Sequence, residues 1–290
     1  MMTPAGRHRT TIAGLGFALV AALCAPTIAA ADEPSPTFCD EEGSGVGDLT
    51  YTSDESAVLY TTIDGIWITD RDGERRPFWT EPVSLDSVHA DPTGSHIAAV
   101  GLGNADLDLN RTIWLLDANA EVQAVLDTIA FDPELAWSPV DSRFVIVDAG
   151  LSPADRLVVF DADNLDDPVV VSTVPSRQPA WSPDGSQLAW LDEEILFVGA
   201  ADGSSRSVIA IGDDAGAAEW AYPSWSPDGS RLAWAGFDAD DDGQMTVFTA
   251  DPDGGNRRAL PVEIERLRFP AAWSPDGSRL AVVDERLDDR

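Results

Sequence analysis

Trp181–Trp190 reads "WSPDGSQLAW", Trp225–Trp234 reads "WSPDGSRLAW" and Trp273–Val282 reads "WSPDGSRLAV". A catalytic motif is needed once, so a phrase written three times, 44 and 48 residues apart, belongs to architecture. Weaker copies precede it: "YTSDESAVLY" from Tyr51, "ADPTGSHIAA" from Ala90 and "WSPVDSRFVI" from Trp137. The six repeats start at 51, 90, 137, 181, 225 and 273, with gaps of 39 to 48 residues. A period near 44 suits a four-stranded blade, because the letters between copies are strand letters rather than helical ones.

Each phrase reads as a hairpin. Pro183 presets the second position of a tight turn, Asp184 follows, and Gly185 supplies the left-handed backbone that closes it. Pro227, Asp228 and Gly229 repeat the arrangement, as do Pro275, Asp276 and Gly277. Asp141 stands at the glycine position of one weak copy, where a short polar side chain tolerates a left-handed backbone. Glu55 is a less comfortable substitute in the first. Ser186, Ser230 and Ser278 recur as Ser56, Ser95 and Ser142, and the expected role of this hydroxyl is a local bond to the turn backbone.

Between phrases come short β-branched and apolar runs bounded by Gly, Asp and Pro, such as "EILFVGA" and "RSVIAIG". The chain is therefore expected to be all-β, a six-repeat propeller of antiparallel four-stranded blades. Packing such sheets around an axis buries both apolar faces. Trp137, Trp181, Trp225 and Trp273 close each blade's first strand, where a large ring fills the wedge between neighbours.

"PAWSPDGSQLAW", "PSWSPDGSRLAW" and "PAAWSPDGSRLAV" resemble the TolB-type, WD40-like (PD40) repeat, also found in the amino-terminal propellers of prolyl oligopeptidase and dipeptidyl-peptidase proteins. The resemblance covers residue 48 to the end. It implies a six-bladed propeller that binds partners through its faces or central funnel. Only 18 residues run from Trp273 to Arg290, room for two strands of the last blade, which is expected to be incomplete.

The resemblance transfers no peptidase activity, because the G-x-S-x-G elbow of those relatives' hydrolase domain does not occur here. Of three histidines, His8 precedes the repeats; His89 is expected to be a buried ring, and His96 to lie exposed beside its turn. Two isolated histidines do not make a histidine-rich metal site. The 51 acidic residues fall mostly in turns, so a carboxylate pair for glycoside hydrolysis carries little signal. The sharpest local feature is "DADDDGQ", residues 238–244: Asp238, Asp240 and Asp242 precede Gly243 as in the opening of a calcium loop. Its twelfth position is Thr249 rather than a bidentate glutamate, so it is no EF-hand, and Ca²⁺ is the one cofactor considered.

Outside the repeats, residues 1–31 read as a signal peptide: Arg7 and Arg9, an apolar run from Thr11 to Leu23, and small residues at Ala29 and Ala31. Cys24 follows Leu23, where lipoprotein processing wants a small residue. Residues 32–47 form a Pro-, Ser- and Gly-rich linker holding Cys39, and 48–290 the propeller. Loss of the leader leaves 16 arginines, no lysine and 51 acids, a net charge of −35. Such a surface repels nucleic acid and anionic lipid and favours a basic partner. The expected protein is thus an exported, monomeric, non-catalytic binding propeller without a membrane span once cleaved. It would present the acidic loops "GLGNADLDLNR", "AGLSPADR", "GDDAGAAEWAYP" and "GFDADDDGQ", or its funnel, to a protein or cationic ligand. The alternative is a propeller lyase or hydrolase acting on an extracellular polymer.

Overall fold

The structure, a computed structural model, describes residues 48–81, 83–102, 111–128, 134–148, 156–174, 176–192, 195–211, 221–237, 245–264 and 270–284. The leader and linker, residues 1–47, lie outside the described residues.

Among the described residues every element is a strand, and the strands form five four-stranded sheets and a sixth of two strands. Within each sheet, strands pair antiparallel with their sequence neighbours. The fourth blade is representative: Arg177–Trp181, Gln187–Asp192, Ile195–Ala200 and Arg206–Ile211. The sixth holds Ala272–Trp273 and Leu280–Ala281. First strands of successive blades touch one another from the first blade to the sixth, so they form the inner wall of a propeller.

Both faces of a blade are buried, which is why the strands read as unbroken apolar runs. In the third blade, Phe144, Ile146 and Val158 pack against the second, while Val145, Val147, Leu157 and Val159 pack against the fourth. Successive side chains on a strand point to opposite faces, so one run serves two interfaces. Five apolar clusters fill the interfaces between blades one and six. The repeat tryptophans join four of them: Trp137 between blades two and three, Trp181 between three and four, Trp225 between four and five, Trp273 between five and six.

Each of these indoles also spans its interface through a hydrogen bond. Nε1 of Trp137, Trp181, Trp225 and Trp273 donates to the carbonyl of His89, Ala136, Ala180 and Ser224, at 3.1, 3.0, 3.0 and 3.3 Å. In every case the acceptor is the residue just before the repeat start of the preceding blade. Prolines mark the sheet edges: Pro179 lies in an innermost strand and Pro77, Pro168 and Pro261 in outermost ones, where a missing N–H breaks no ladder bond.

Trp181 is 9% exposed. Trp181→Phe keeps most of the ring and removes the donor, so it should cost about 1 kcal/mol. Trp181→Ala should cost about 3–5 kcal/mol, because it also opens the wedge. Chemical denaturation of both variants separates the two contributions.

Candidate functional site

The repeat turns are held by hydroxyl–carboxylate pairs. In the fourth blade Ser182 Oγ donates to Asp184 Oδ1 at 2.7 Å and accepts the Gln187 N–H at 2.9 Å. Ser186 donates its hydroxyl and its amide to the same carboxylate oxygen. That hydroxyl therefore meets the aspartate side chain rather than the turn backbone. Gly185 adopts φ 68°, and a Cβ there would stand 2.6 Å from Val140 of the preceding turn. Ser226, Asp228 and Ser230, and Ser274, Asp276 and Ser278, repeat the bonds. The Ser226 hydroxyl and then the Ser230 amide lower Asp228 from 3.8 to about 2. Asp184 and Asp276 are lowered in the same way, first by Ser182 and Ser274.

Two blades depart from this plan. In the third, Val140 replaces the aspartate, and Asp141 does not take the left-handed backbone expected of it; its carboxylate instead holds the Arg143 guanidinium at 2.8 Å. Ser142 then donates across the interface to Asp91 Oδ2 at 2.8 Å. In the second blade the pair is exchanged: Asp91 stands at the serine position, and Thr93 Oγ1 donates to it at 2.7 Å. Burial alone would raise Asp91, but the Thr93 and Ser142 hydroxyls and two backbone amides hold it below the usual carboxylate value.

His96 is buried, at 9% exposure, rather than exposed as its place beside the turn suggests. Trp137 of the next blade lies over it, with ring centroids 6.4 Å apart and planes at 22°. Asp91 and Asp163 approach its two ring nitrogens at 3.5 and 3.7 Å. His89 is half-buried, its Nε2 2.9 Å from Ser87 Oγ. Burial pushes its pKa below the usual histidine value, against the pull of Asp48.

Between the first and second blades the wedge is open. Ala90 occupies the repeat start where four other blades carry an indole, and Ala57 occupies the position that such an indole covers in the preceding blade. His96 under Trp137 and Arg143 over Trp181 fill the equivalent positions next door. The two alanines line a cleft of about 360 Å³. Leu59, Ile68, Phe78 and Ile97 form its apolar floor, and Thr52, Asp54, Ser56, Asp70, Arg76 and His96 add polar groups. The Thr52 hydroxyl, then Ser56, pull Asp54 from 3.8 down to about 2. Gly94 of the second turn comes so near Ser53 of the first that a Cβ would sit 2.3 Å from Ser53 Oγ. The two turns thus stand close beside the cleft.

A second set of interblade links lies three residues before the repeat starts. A Glu134 carboxylate oxygen accepts the Gln178 N–H, and Gln178 Oε1 accepts the Tyr222 N–H at 2.7 Å. Asp48 Oδ2, from the same position of the first repeat, accepts the N–H of Val88, two residues before the second repeat start, at 3.2 Å. Residue-by-residue reading of the repeats missed this column, and it missed the first serine of each phrase.

The acidic candidates Asp238, Asp240 and Asp242 lie outside the described residues, as do most of the long loops expected to bind. Among the described residues no group of three His, Cys, Asp or Glu gathers as a metal site. Nor is any described helix long and apolar enough to cross a membrane.

Residues 155–288 match the family model described as "Lipoprotein LpqB beta-propeller domain". A putative TolB from Agrobacterium tumefaciens is 19% identical, with a TM-score of 0.54, over 83% of this chain and 91% of that one. The fold is that of a TolB-like propeller. An oligogalacturonate lyase in complex with manganese superposes with a TM-score of 0.62 at 12% identity, over 81% of this chain and 72% of its own. A chain of the Mitotic Checkpoint Complex gives 0.56 at 14%, over 86% and 77%. No curated protein matches the sequence. Neighbours with such different names share the propeller and nothing that fixes a role, so function rests on the site.

Two outcomes test this propeller's turns and cleft. Asp228 has a folded pKa depressed to about 2, so its stabilisation is present above about 3.8 and is lost as pH falls through 2. Asp228→Asn should lower the melting temperature at pH 7, and the difference from wild type should close between pH 4 and 2. Ala90→Trp should raise the melting temperature by about 2–4 °C, the gain expected from filling a wedge worth about 1 kcal/mol.

Proposed function

We propose that this chain is an exported, non-catalytic propeller that binds a protein partner or cationic ligand. The observation that carries the reading is the cleft between blades one and two: an apolar floor with polar groups around it, at an interface whose equivalents are filled by indoles. Binding sites have this composition, and the volume lies near the lower end of their usual range of about 300–1,000 Å³.

The carboxylates with shifted pKa values serve the turns. Among the described residues, the aspartates with resolved pKa shifts are all lowered, most of them by turn hydroxyls and amides. A general acid working near neutral pH needs the opposite shift. These carboxylates act as ionised fasteners of hairpins. Export is supported by the leader pattern of residues 1–31 and by the word "Lipoprotein" in the description of the matching family. The acidic surface favours a basic partner.

Affinity capture from envelope and culture fractions, with the chain lacking residues 1–31 as bait, tests the reading. One partner should be retained at low salt and released as ionic strength rises. Turnover of a glycan or ester panel that disappears when a single carboxylate is replaced would overturn it in favour of an enzyme.

A further inference from the structure

Resting on that binding role, we propose that the cleft between the first two blades receives one aromatic side chain, best an indole, carried by a basic segment of a partner protein. The fold itself supplies the template. At the next interface Trp137 lies over His96, and at the one after it Trp181 lies under the Arg143 guanidinium, 5.2 Å from the ring centroid. Each pair joins a repeat start to the residue six positions into the preceding repeat. At the first interface these two positions are Ala90 and Ala57, and both line the cleft. An incoming ring would rest on Phe78, the partly exposed member of the lining, with the buried Leu59, Ile68 and Ile97 beneath it.

Size limits the occupant. A volume of about 360 Å³ suits one or two side chains rather than a run of polymer units. Charge selects what flanks the ring. Asp54 and Asp70 line the cleft with Arg76 as the single cation among the lining residues, on a chain of net charge −33. Asp54 directs Oδ1 to Thr52 and Ser56, so a guanidinium beside the ring can approach Oδ2. Aromatic anchors with neighbouring arginine are the groups that dominate protein interfaces.

Isothermal titration at low salt with three peptides tests the proposal: acetyl-Arg-Trp-Arg-amide, acetyl-Arg-Ala-Arg-amide and acetyl-Glu-Trp-Glu-amide. The first should bind the wild-type chain at least tenfold more tightly than either of the others. Ala90→Trp should weaken it tenfold or more. So should Ala57→Leu, which fills the cleft from blade one without offering a guanidinium to stack on the ring, and which serves if the first variant folds poorly. Asp54→Asn should weaken the arginine-flanked peptide by a larger factor than acetyl-tryptophan-amide. Equal binding of the Trp and Ala peptides, or undiminished binding to the folded Ala90→Trp chain, would overturn the proposal. Acetyl-tryptophan-amide binding as tightly as the flanked peptide would point to a small aromatic ligand and overturn the partner class. Concentration-dependent dimerisation abolished by Ala90→Trp would point instead to a second copy of this chain. A partner still captured by Ala90→Trp bait would sink the cleft while leaving the binding role intact.

Discussion

The interaction on which the propeller depends is the indole set between blades. Flat sheets packed around an axis leave a wedge at each interface, and a ring of this size fills one with a single side chain. The Nε1–H of the same ring ends on a carbonyl of the preceding blade, so the filler is also a tether. Ala180 shows how this is possible without damage to the sheet. Its residue belongs to the register pair Ala180↔Ala189 and still serves Trp225, because a carbonyl oxygen has two lone pairs. Dispersion and burial hold the ring, and the hydrogen bond fixes its orientation and the spacing of the blades.

The turns show that a physical pair persists where letters change. Ser182 with Asp184, Thr52 with Asp54, and Thr93 with Asp91 are the same hydroxyl-to-carboxylate bond, with the two ends exchanged in the last case. Where Val140 removes the acceptor, Ser142 finds one in the neighbouring blade. That bond connects blades two and three through a buried carboxylate, which keeps Asp91 ionised despite its burial. Because the charged form is the one that accepts these bonds, an acidic sequence suits such turns.

Period, strand content and ring positions were legible because each is written several times. What a single repeat contains could be read from that repeat. His96 could not: its cover is Trp137, a residue of the next blade, so exposure judged from its own turn came out wrong. Asp141 failed for a different reason, since sharing a column with Gly185 does not oblige it to share a backbone angle when Arg143 offers its carboxylate a partner. The candidate cleft was present in the sequence but spread over two columns. Ala90 alone reads as a degenerate repeat, and only beside Ala57 does it mark an open wedge. The Glu134–Gln178–Tyr222 series was invisible because its members share a position and not a residue type.

Leaving out an inner indole has an energetic consequence that the first interface meets further from the axis. At Ala90 the first two blades forgo the ring that fills the next four interfaces. Their shared cluster instead contains Trp79 of the outermost strand and Trp114, with ring centroids 5.7 Å apart at 49°. Asp48 adds a bond to the Val88 amide. The two blades are therefore joined by an aromatic pair at larger radius and by a polar link at the inner wall, with the cleft between. A uniform repeat would have closed that gap. The departure from the consensus opens a shaped apolar surface without disturbing the frame that supports it, so a scaffold of near-identical blades acquires one distinctive face by omission.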